Sequence, residues 1–559
     1  MPHVHGHIRP HTFLFFRLPN TSLKLIEIIP NTIIDIGKFG SFPANLLLGR
    51  PYYHTYEILP PQDGEHYSRL RIVSPSELNA EIVTEQNASE GEIRSTPAPG
   101  GVDSLENYDL VDGDGNVIMK NNRLTIDDAS RQALSHAEIE ELKQSHGGKE
   151  IIAKILANHT GLDEKTDFSK AKYTLRKTKK YLKRFAVIPM DVPSLIEHML
   201  DKEPSRIMEC REETLGLVTS WSNVHLSLAD SLGFDDLGRR VGGGRTLVVD
   251  ETGGLLVAAL AERKGLLWPD YEDPHPSPND ENKPPVNGET NDADGSQVEG
   301  GDGETKSATQ HQDFPIPSPT NSITLLHPAV QPNLSLLKYF GYDSNNPDTS
   351  HPLHTHLKPL SFLQLLHPDE DPLYAEPTVI DPKDLSSLKS SRRGTYFKKR
   401  RRWERIRSIV DETREGGFDS LVIASYMDPI TILPHTVPLL RGGAQVVIYS
   451  PTIESLKNVM DFYSRDRRLG YINAISSGDD VDKEDFPVDP RLLLAPTLQT
   501  TRVRQWQVLP GRTHPLMGSR GGSEGYFFTA HRAIPLEGGV EARGNYGKRR
   551  KVVSNGTAD

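Results

Sequence analysis

An apolar run of β-formers, Thr246-Leu247-Val248-Val249, leads out of Gly242-Gly243-Gly244 and is followed by Asp250-Glu251-Thr252-Gly253-Gly254, then by Leu255 to Arg263 at helical spacing. Strand, glycine turn and helix in that order open an α/β domain, because a buried parallel strand hands over to a crossover helix. Similar apolar runs, Ile323 to Leu326, Leu421 to Ala424 and Gln445 to Tyr449, supply further strands, with helices alternating. One helix is predicted from Arg402 to Glu415, stopped by Gly416-Gly417, and another from Pro434 to Leu440, stopped by Gly442-Gly443.

The first sixty residues read differently. Thr12 to Leu18, Leu23 to Ile29, Thr32 to Ile36 and Tyr52 to Leu59 are short β-rich runs divided by turn residues, which suggests a meander or small barrel. Glu85 to Gly115 reads as a mobile loop. Ser135 and Glu138 then form a capping box ahead of Ile139 and Leu142, and Ile151, Ile152, Ile155 and Leu156 continue the helical period. Ile207 to Val224 is a further helical stretch. The fold expected is α/β plus β: an N-terminal β-barrel-like domain (1–120), a helical, basic connection (121–204) and a C-terminal α/β domain (205–268, 322–342 and 391–540). An acidic insert (269–321), a Pro-rich linker (343–390) and a basic tail (541–559) read as largely disordered.

No run approaches the roughly 18 apolar residues of a membrane span. A lone cysteine, Cys210, excludes an intramolecular disulfide framework, and the N-terminus lacks the order of a signal peptide, so a reducing compartment is expected. The formal charge of −12 argues against a nucleic-acid partner only at first sight, because Asp270 to Asp313 alone holds 12 acids and 2 bases. Elsewhere the chain is nearly neutral, and its blocks of charge matter more than its total.

Methyltransferases of this sheet type place acid-x-Gly-x-Gly-x-Gly after the first strand, since only glycine lets backbone amides approach the cofactor closely. In Asp250-Glu251-Thr252-Gly253-Gly254-Leu255-Leu256 the first and third glycines are Thr252 and Leu256, and only Gly254 stays in register. Together with Gly37-Lys38-Phe39-Gly40-Ser41-Phe42, Asn79 to Val83, Phe168 to Tyr173, Gln331-Pro332-Asn333-Leu334 and Val508 to Pro515, this run resembles the non-catalytic subunits of eukaryotic tRNA (adenine-N1)-methyltransferases. The resemblance covers most of the chain outside the inserts. It implies a degenerate Rossmann-like (class I) methyltransferase domain in a complex that methylates N1 of adenosine 58 in the tRNA T-loop. It also implies S-adenosylmethionine bound by a separate catalytic paralogue, no cofactor or catalytic residue in this chain, a heterotetramer of two such pairs, and a nuclear location.

Phe418 to Ala424 is similar to the fourth strand of that catalytic paralogue, which carries an aspartate where Ala424 stands. A carboxylate there is suited to hold the base and manage its proton, and alanine does neither. Asp428, four residues on, is an acid that could compensate only if it lay within hydrogen-bond reach of the base.

Two basic blocks offer a positive function. Lys165 to Arg184 holds nine bases against one acid, with Lys170, Lys177, Lys180 and Arg184 expected on one helical face opposite Leu175, Leu182 and Phe185; Lys172, Arg176 and Lys183 add charge. Arg392 to Arg407 also holds nine bases against one acid; Arg392, Arg393, Lys398, Lys399, Arg400, Arg401 and Arg402 are interleaved with Tyr396, Phe397 and Trp403. Cations beside aromatics neutralise phosphate and stack bases, so both blocks are expected to bind tRNA. Lys548 to Lys551 suits a nuclear localisation signal. Two other readings remain open: an active methyltransferase with an unorthodox cofactor loop, and an RNA-binding scaffold in translation initiation. No metal site is expected, since Asp112 to Asn116 lacks the glycine and glutamate of a calcium loop, and the histidines at 3, 5, 7, 351, 354 and 356 read as lying in floppy segments.

Overall fold

The computed structural model describes residues 6–61, 67–78, 133–145, 148–160, 173–223 apart from 175 and 179, 243–268, 320–478, 481–500 and 525–535, with strand pieces at 110–111, 117–119, 233–234, 240–241, 506–509 and 512–515. The loop at 85–109, the calcium-like turn, Lys170, Lys172, most of the acidic insert and the basic tail lie outside the described residues.

Five antiparallel strands form the N-terminal sheet: β1 (Phe13–Arg17), β2 (Leu23–Glu27), β3 (Thr55–Leu59), β4 (Arg69–Ile72) and β5 (Arg184–Pro189), in the order β2-β1-β5-β3-β4. Among the described residues β2 and β4 are its two edges, so the pairing is that of an open sheet rather than a closed barrel. Its middle strand comes from the span expected to be a helical connection. Phe185 and Val187 alternate with Ile188 and Met190 onto opposite faces, the period of a strand buried on both sides, which the preceding lysines disguise. Phe185 lies 4.6 Å from Phe16 and stacks on Phe42 at 5.3 Å. The connection itself carries α1 (His136–Ser145), with the Ser135–Glu138 capping box in place, and α2 (Gly148–Ala157), whose isoleucines pack on Tyr181 and Leu182. After β5 come α3 (Val192–Lys202) and α4 (Glu212–Trp221).

The second sheet has seven strands: β6 (Arg245–Asp250), β7 (Ser322–His327), β8 (Leu357–Ser361), β9 (Phe418–Ala424), β10 (Leu440–Ser450), β11 (Leu493–Thr500) and β12 (Tyr526–Arg532). Their order is β8-β7-β6-β9-β10-β12-β11; the first five are parallel, and β12 runs antiparallel to β10 and β11. That order is doubly wound, with the chain reversing direction between β6 and β9. On one face α5 (Leu255–Arg263) packs on Val248, Leu325 and Val422. On the other, α6 (Ser390–Glu415), α7 (Pro429–Thr436) and α8 (Glu454–Phe462) cover Leu247, Val249 and Ile423. The helix α9 (Arg465–Ser477) follows.

Two expectations are corrected. The span 343–390 is not a disordered linker: it supplies edge strand β8 and short helices at Pro352–His356, Phe362–Leu366 and Pro382–Ser387, because Leu353, Leu357, Leu360 and Leu365 are all buried. The histidines at 351, 354 and 356 are therefore ordered, and His351 accepts the Leu353 amide at 3.1 Å. The helix placed at 434–440 is α7, eight residues ending at Thr436; Asp428 caps it, Pro429 opens it, and Gly442-Gly443 lie inside β10.

Candidate functional site

In open α/β sheets the ligand crevice lies beyond the carboxyl ends of the strands, at the point where strand order reverses. Here that point is the end of β6, where Asp250 pairs in register with Ala424 of β9. Asp250 is buried, and burial pushes its carboxyl up from the ordinary range, against the three donors it accepts. Its Oδ1 takes the Thr252 amide and hydroxyl, both at 2.6 Å, and its Oδ2 takes the Val257 amide at 3.1 Å. The Thr252 hydroxyl oxygen in turn accepts the Leu256 amide at 3.0 Å. The free amides at the start of a helix are the groups that usually meet an anionic ligand. In α5 the Leu256 and Val257 amides are committed to the side chains of Thr252 and Asp250.

The space above the turn is filled as well. Gly253 and Gly254 have φ of 73° and 93°, and a Cβ on Gly254 would lie 3.2 Å from Leu334 Cα. The Leu336 amide donates to Gly253 O at 3.0 Å, and Leu334, Leu336 and Leu337 are buried in the same apolar cluster as Leu256. From the other side Arg206 donates to the Ser335 hydroxyl at 2.9 Å and Tyr449 to Met208 O at 2.8 Å, which ties 205–210 over the crevice. S-adenosylmethionine does not fit these residues. The sequence pointed to the loss of glycine at Thr252 and Leu256; the larger obstruction, Leu334 to Leu337, begins in the Gln331 to Leu334 block, whose residues do not by themselves reveal that they pack over the turn.

Ala424 is buried, and the acids described near it are committed elsewhere. Asp428 accepts the Ile430 amide at 3.1 Å as the cap of α7, and Glu251 accepts the Ser425 hydroxyl at 2.7 Å and the Tyr426 amide at 2.6 Å. The second strand, β7, ends at His327, where dinucleotide binders keep an acid for the ribose. Burial lowers the His327 pKa and its Nδ1 lies 2.7 Å from Ala329 O, so it too is a structural residue that the sequence reading did not single out.

The basic blocks are placed on two elements. Arg176, Lys177 and Lys180 lie on a helical turn before β5; Arg176 and Lys180 are exposed, as is Lys183 beyond it. Lys177 is half-buried, 4.8 Å over the Tyr173 ring, and burial together with Lys180 lowers its pKa. On α6, Arg392, Arg393, Lys398, Lys399, Arg401 and Arg402 are exposed. Arg400 is half-buried, pairing with Glu376 at 3.9 Å and Glu404 at 3.2 Å, and Trp403 is buried with its indole N–H on Tyr374 O at 3.0 Å. Trp403 therefore holds the helix down and is not a free stacking surface; Phe397 remains exposed.

A profile of the Gcd10p family matches residues 7–389, well over half of the chain. The chain belongs to the Gcd10p family. A relative in Aspergillus oryzae, named as a tRNA (adenine(58)-N(1))-methyltransferase non-catalytic subunit, is 45% identical over 99% of this chain and 97% of its own length. Relatives of the same description in Debaryomyces hansenii and Mus musculus are 27% and 24% identical, over 97% and 74% of this chain and 90% and 74% of theirs. Solved structures similar to it include an S-adenosylmethionine-dependent O-methyltransferase from Thermotoga maritima (TM-score 0.39, 8% identity, 96% of this chain and 100% of that one) and a tRNA (m1A58) methyltransferase from Aquifex aeolicus (TM-score 0.35, 8% identity, 95% and 100%).

One residue of the expected RNA surface in this Gcd10p family member is corrected. Arg184 does not continue the helical face of Lys177 and Lys180; it lies in β5, buried, with Nη2 2.6 Å from Glu77 and Nε 3.8 Å from Glu57. Arg71 and Lys149 bind Glu77 at 2.9 and 2.8 Å, completing a network that ties the sheet to α2. Among the described residues no group of three metal-ligating side chains gathers, and no helix is long and apolar enough to cross a membrane.

Proposed function

We propose that this chain is the non-catalytic, tRNA-binding subunit of a tRNA (adenine-N1)-methyltransferase complex acting at position 58. The carrying observation is the sealed crevice: a methyltransferase-type strand, turn and helix in which Asp250 and Thr252 occupy the amides and Leu334, Leu336 and Leu337 occupy the ligand space. The full-length likeness to subunits named as non-catalytic supports the same division of labour. In it, a separate catalytic paralogue binds S-adenosylmethionine, and the degenerate Rossmann-like domain of this chain serves as a surface for pairing with that paralogue, as related subunits often meet through related surfaces. Two such pairs form a heterotetramer in the nucleus. Lys170, Lys172, Arg176, Lys177, Lys180 and Lys183 of the first block and Arg392, Arg393, Lys398, Lys399, Arg400, Arg401 and Arg402 of the second hold tRNA while the partner's site reaches the base, which must leave its stack for reaction at N1.

The deciding experiment is isothermal titration of the isolated chain with S-adenosylmethionine, together with tRNA methylation by this chain, by the paralogue and by both. No heat of binding and methylation only by the pair are expected. Micromolar binding by this chain, or full methylation by the paralogue without it, would overturn the assignment.

A further inference from the structure

We infer that Thr395 is a phosphorylation site through which a basophilic Ser/Thr kinase weakens the contact of α6 with RNA; the inference rests on the RNA-binding reading above and names a regulation of that same surface. Thr395 follows Arg392-Arg393-Gly394. Arginines three and two residues ahead of a hydroxyl are a charge pattern that a kinase with an acidic substrate cleft selects. All four residues are exposed. A kinase takes its substrate as an extended strand, so the segment must leave the helix, and the first half of α6 does so at low cost. The buried residues of this 26-residue helix, Trp403, Ile409, Val410 and Thr413, all belong to its second half, and Lys389 at the N-cap makes no capping side-chain bond. Gly394 in a helix interior costs about 1 kcal/mol relative to alanine. The Thr395 hydroxyl donates back to Ser391 O at 2.9 Å, a bond that slightly weakens a helix. Segments with few buried contacts open first. Ser408 also follows an arginine, Arg405, by three residues, but it adjoins Ile409 and Val410 in the anchored half.

Thr395 stands in the middle of the exposed basic face. At about 100° per residue, Lys399 and Arg392 fall about 40° and 60° to one side of it, and Arg402 and Lys398 about 20° and 60° to the other. In the transfer, Thr395 Oγ1 bonds to the γ-phosphorus of a nucleoside triphosphate as the bond from that phosphorus to the β,γ-bridging oxygen breaks. The nucleoside diphosphate leaves, and the hydroxyl proton passes to the kinase's base. The product is a phosphate monoester carrying a charge of about −1.5 to −2 at pH 7. Residues three before and four after are its neighbours on the helix surface, so Arg392 and Lys399 are drawn onto the chain's own phosphate. The acids that adjoin this half, Glu376 and Glu404, pair with Arg400 instead. Phosphorylation therefore withdraws about two cations from the face that would neutralise RNA.

The test treats the full-length chain, with its co-purified partner subunit, with ATP and a kinase that requires arginine two and three residues before the hydroxyl, and locates the phosphate by mass spectrometry. Phosphate is expected on Thr395 and is expected to be absent there in Thr395→Ala and in Arg392→Gln/Arg393→Gln. Binding to tRNA is then followed against salt. Each lost contact lowers the slope of log affinity on log salt by roughly 0.7 to 0.9, so phosphorylated wild type should fall by roughly 1.4 to 1.8. Untreated Thr395→Ala should bind as untreated wild type does, and kinase treatment should leave its slope unchanged. Phosphate on Ser408 alone, or on neither residue, overturns the inference. Phosphate on Thr395 with an unchanged slope overturns it as well; a lowered slope in Lys399→Gln/Arg402→Gln or in Arg176→Gln/Lys180→Gln then leaves the RNA reading standing. Glutamine keeps helix propensity close to that of lysine and arginine, so those variants report charge. No loss in any of them removes the RNA reading too.

Discussion

Arg184 and Glu77 meet at 2.6 Å where β5 passes the segment after β4, and this pair changes what charge reversal at the first basic block means. The partners of Arg184 are carboxylates, so Arg184→Gln leaves Glu57 and Glu77 short of a cation in a largely buried network. Breaking a buried pair costs about 3–5 kcal/mol, and the lower end applies because Glu77 is partly solvated. A fall of several degrees in melting temperature is expected, with an unchanged salt slope for tRNA binding below the melt. A stable variant with a reduced slope would return Arg184 to the RNA surface. Arg71 and Lys149 hold the Glu77 carboxyl down at about 2, against an ordinary value of 4.5. Its folded pKa lies below the unfolded one, so its contribution is complete above pH 4.5 and is lost as pH falls toward 2. Differential scanning of wild type and Glu77→Gln should therefore show a gap at pH 7 that narrows across that window; a gap independent of pH would deny the ion pair its role.

At the scale of elements, legibility followed the strength of the periodic signal. Leu255–Arg263 was read with its observed bounds, and the helix stop at Gly416 is enforced by geometry, since a Cβ there would meet Leu439 O at 2.8 Å. By contrast β5 and β8 are six and five residues long, too short for their alternation to outweigh neighbouring lysines or prolines. The sealing of the crevice was legible only in part: Thr252 and Ala424 stand in the motif, whereas Leu334 to Leu337 become a plug only when β7 brings them over the turn. In α7 the informative signal was Asp428-Pro429, a cap and a first-turn proline, rather than the glycines after it. The packing of 343–390 is open to direct measurement. Leu360→Ala removes a side chain 1% exposed, and a loss of about 2–5 kcal/mol is expected in chemical denaturation. A loss within about 0.5 kcal/mol, as at a surface site, would mean that β8 is dispensable.

Across the whole molecule, one apolar cluster joins the two sheets. Phe15, Leu23 and Ile188 from the first share it with Leu195 and Met199 of α3 and with Val248 and Val422 of the second, and Arg17 reaches Glu197 at 2.8 Å. Calorimetry should accordingly give one transition for both sheets, and Leu195→Asp should lower it as a unit; two separate transitions, only one of them shifted, would show that they melt independently. The plug over Gly253-Gly254 has a further consequence at this scale. A protein that binds a ligand only when folded is stabilised by the logarithm of ligand concentration over its dissociation constant. In this chain Leu334, Leu336 and Leu337 fill that place as part of the polypeptide, at a concentration that never varies. A working methyltransferase grows firmer and looser with its cofactor supply; this subunit keeps the same stability when the supply of methyl donor runs low.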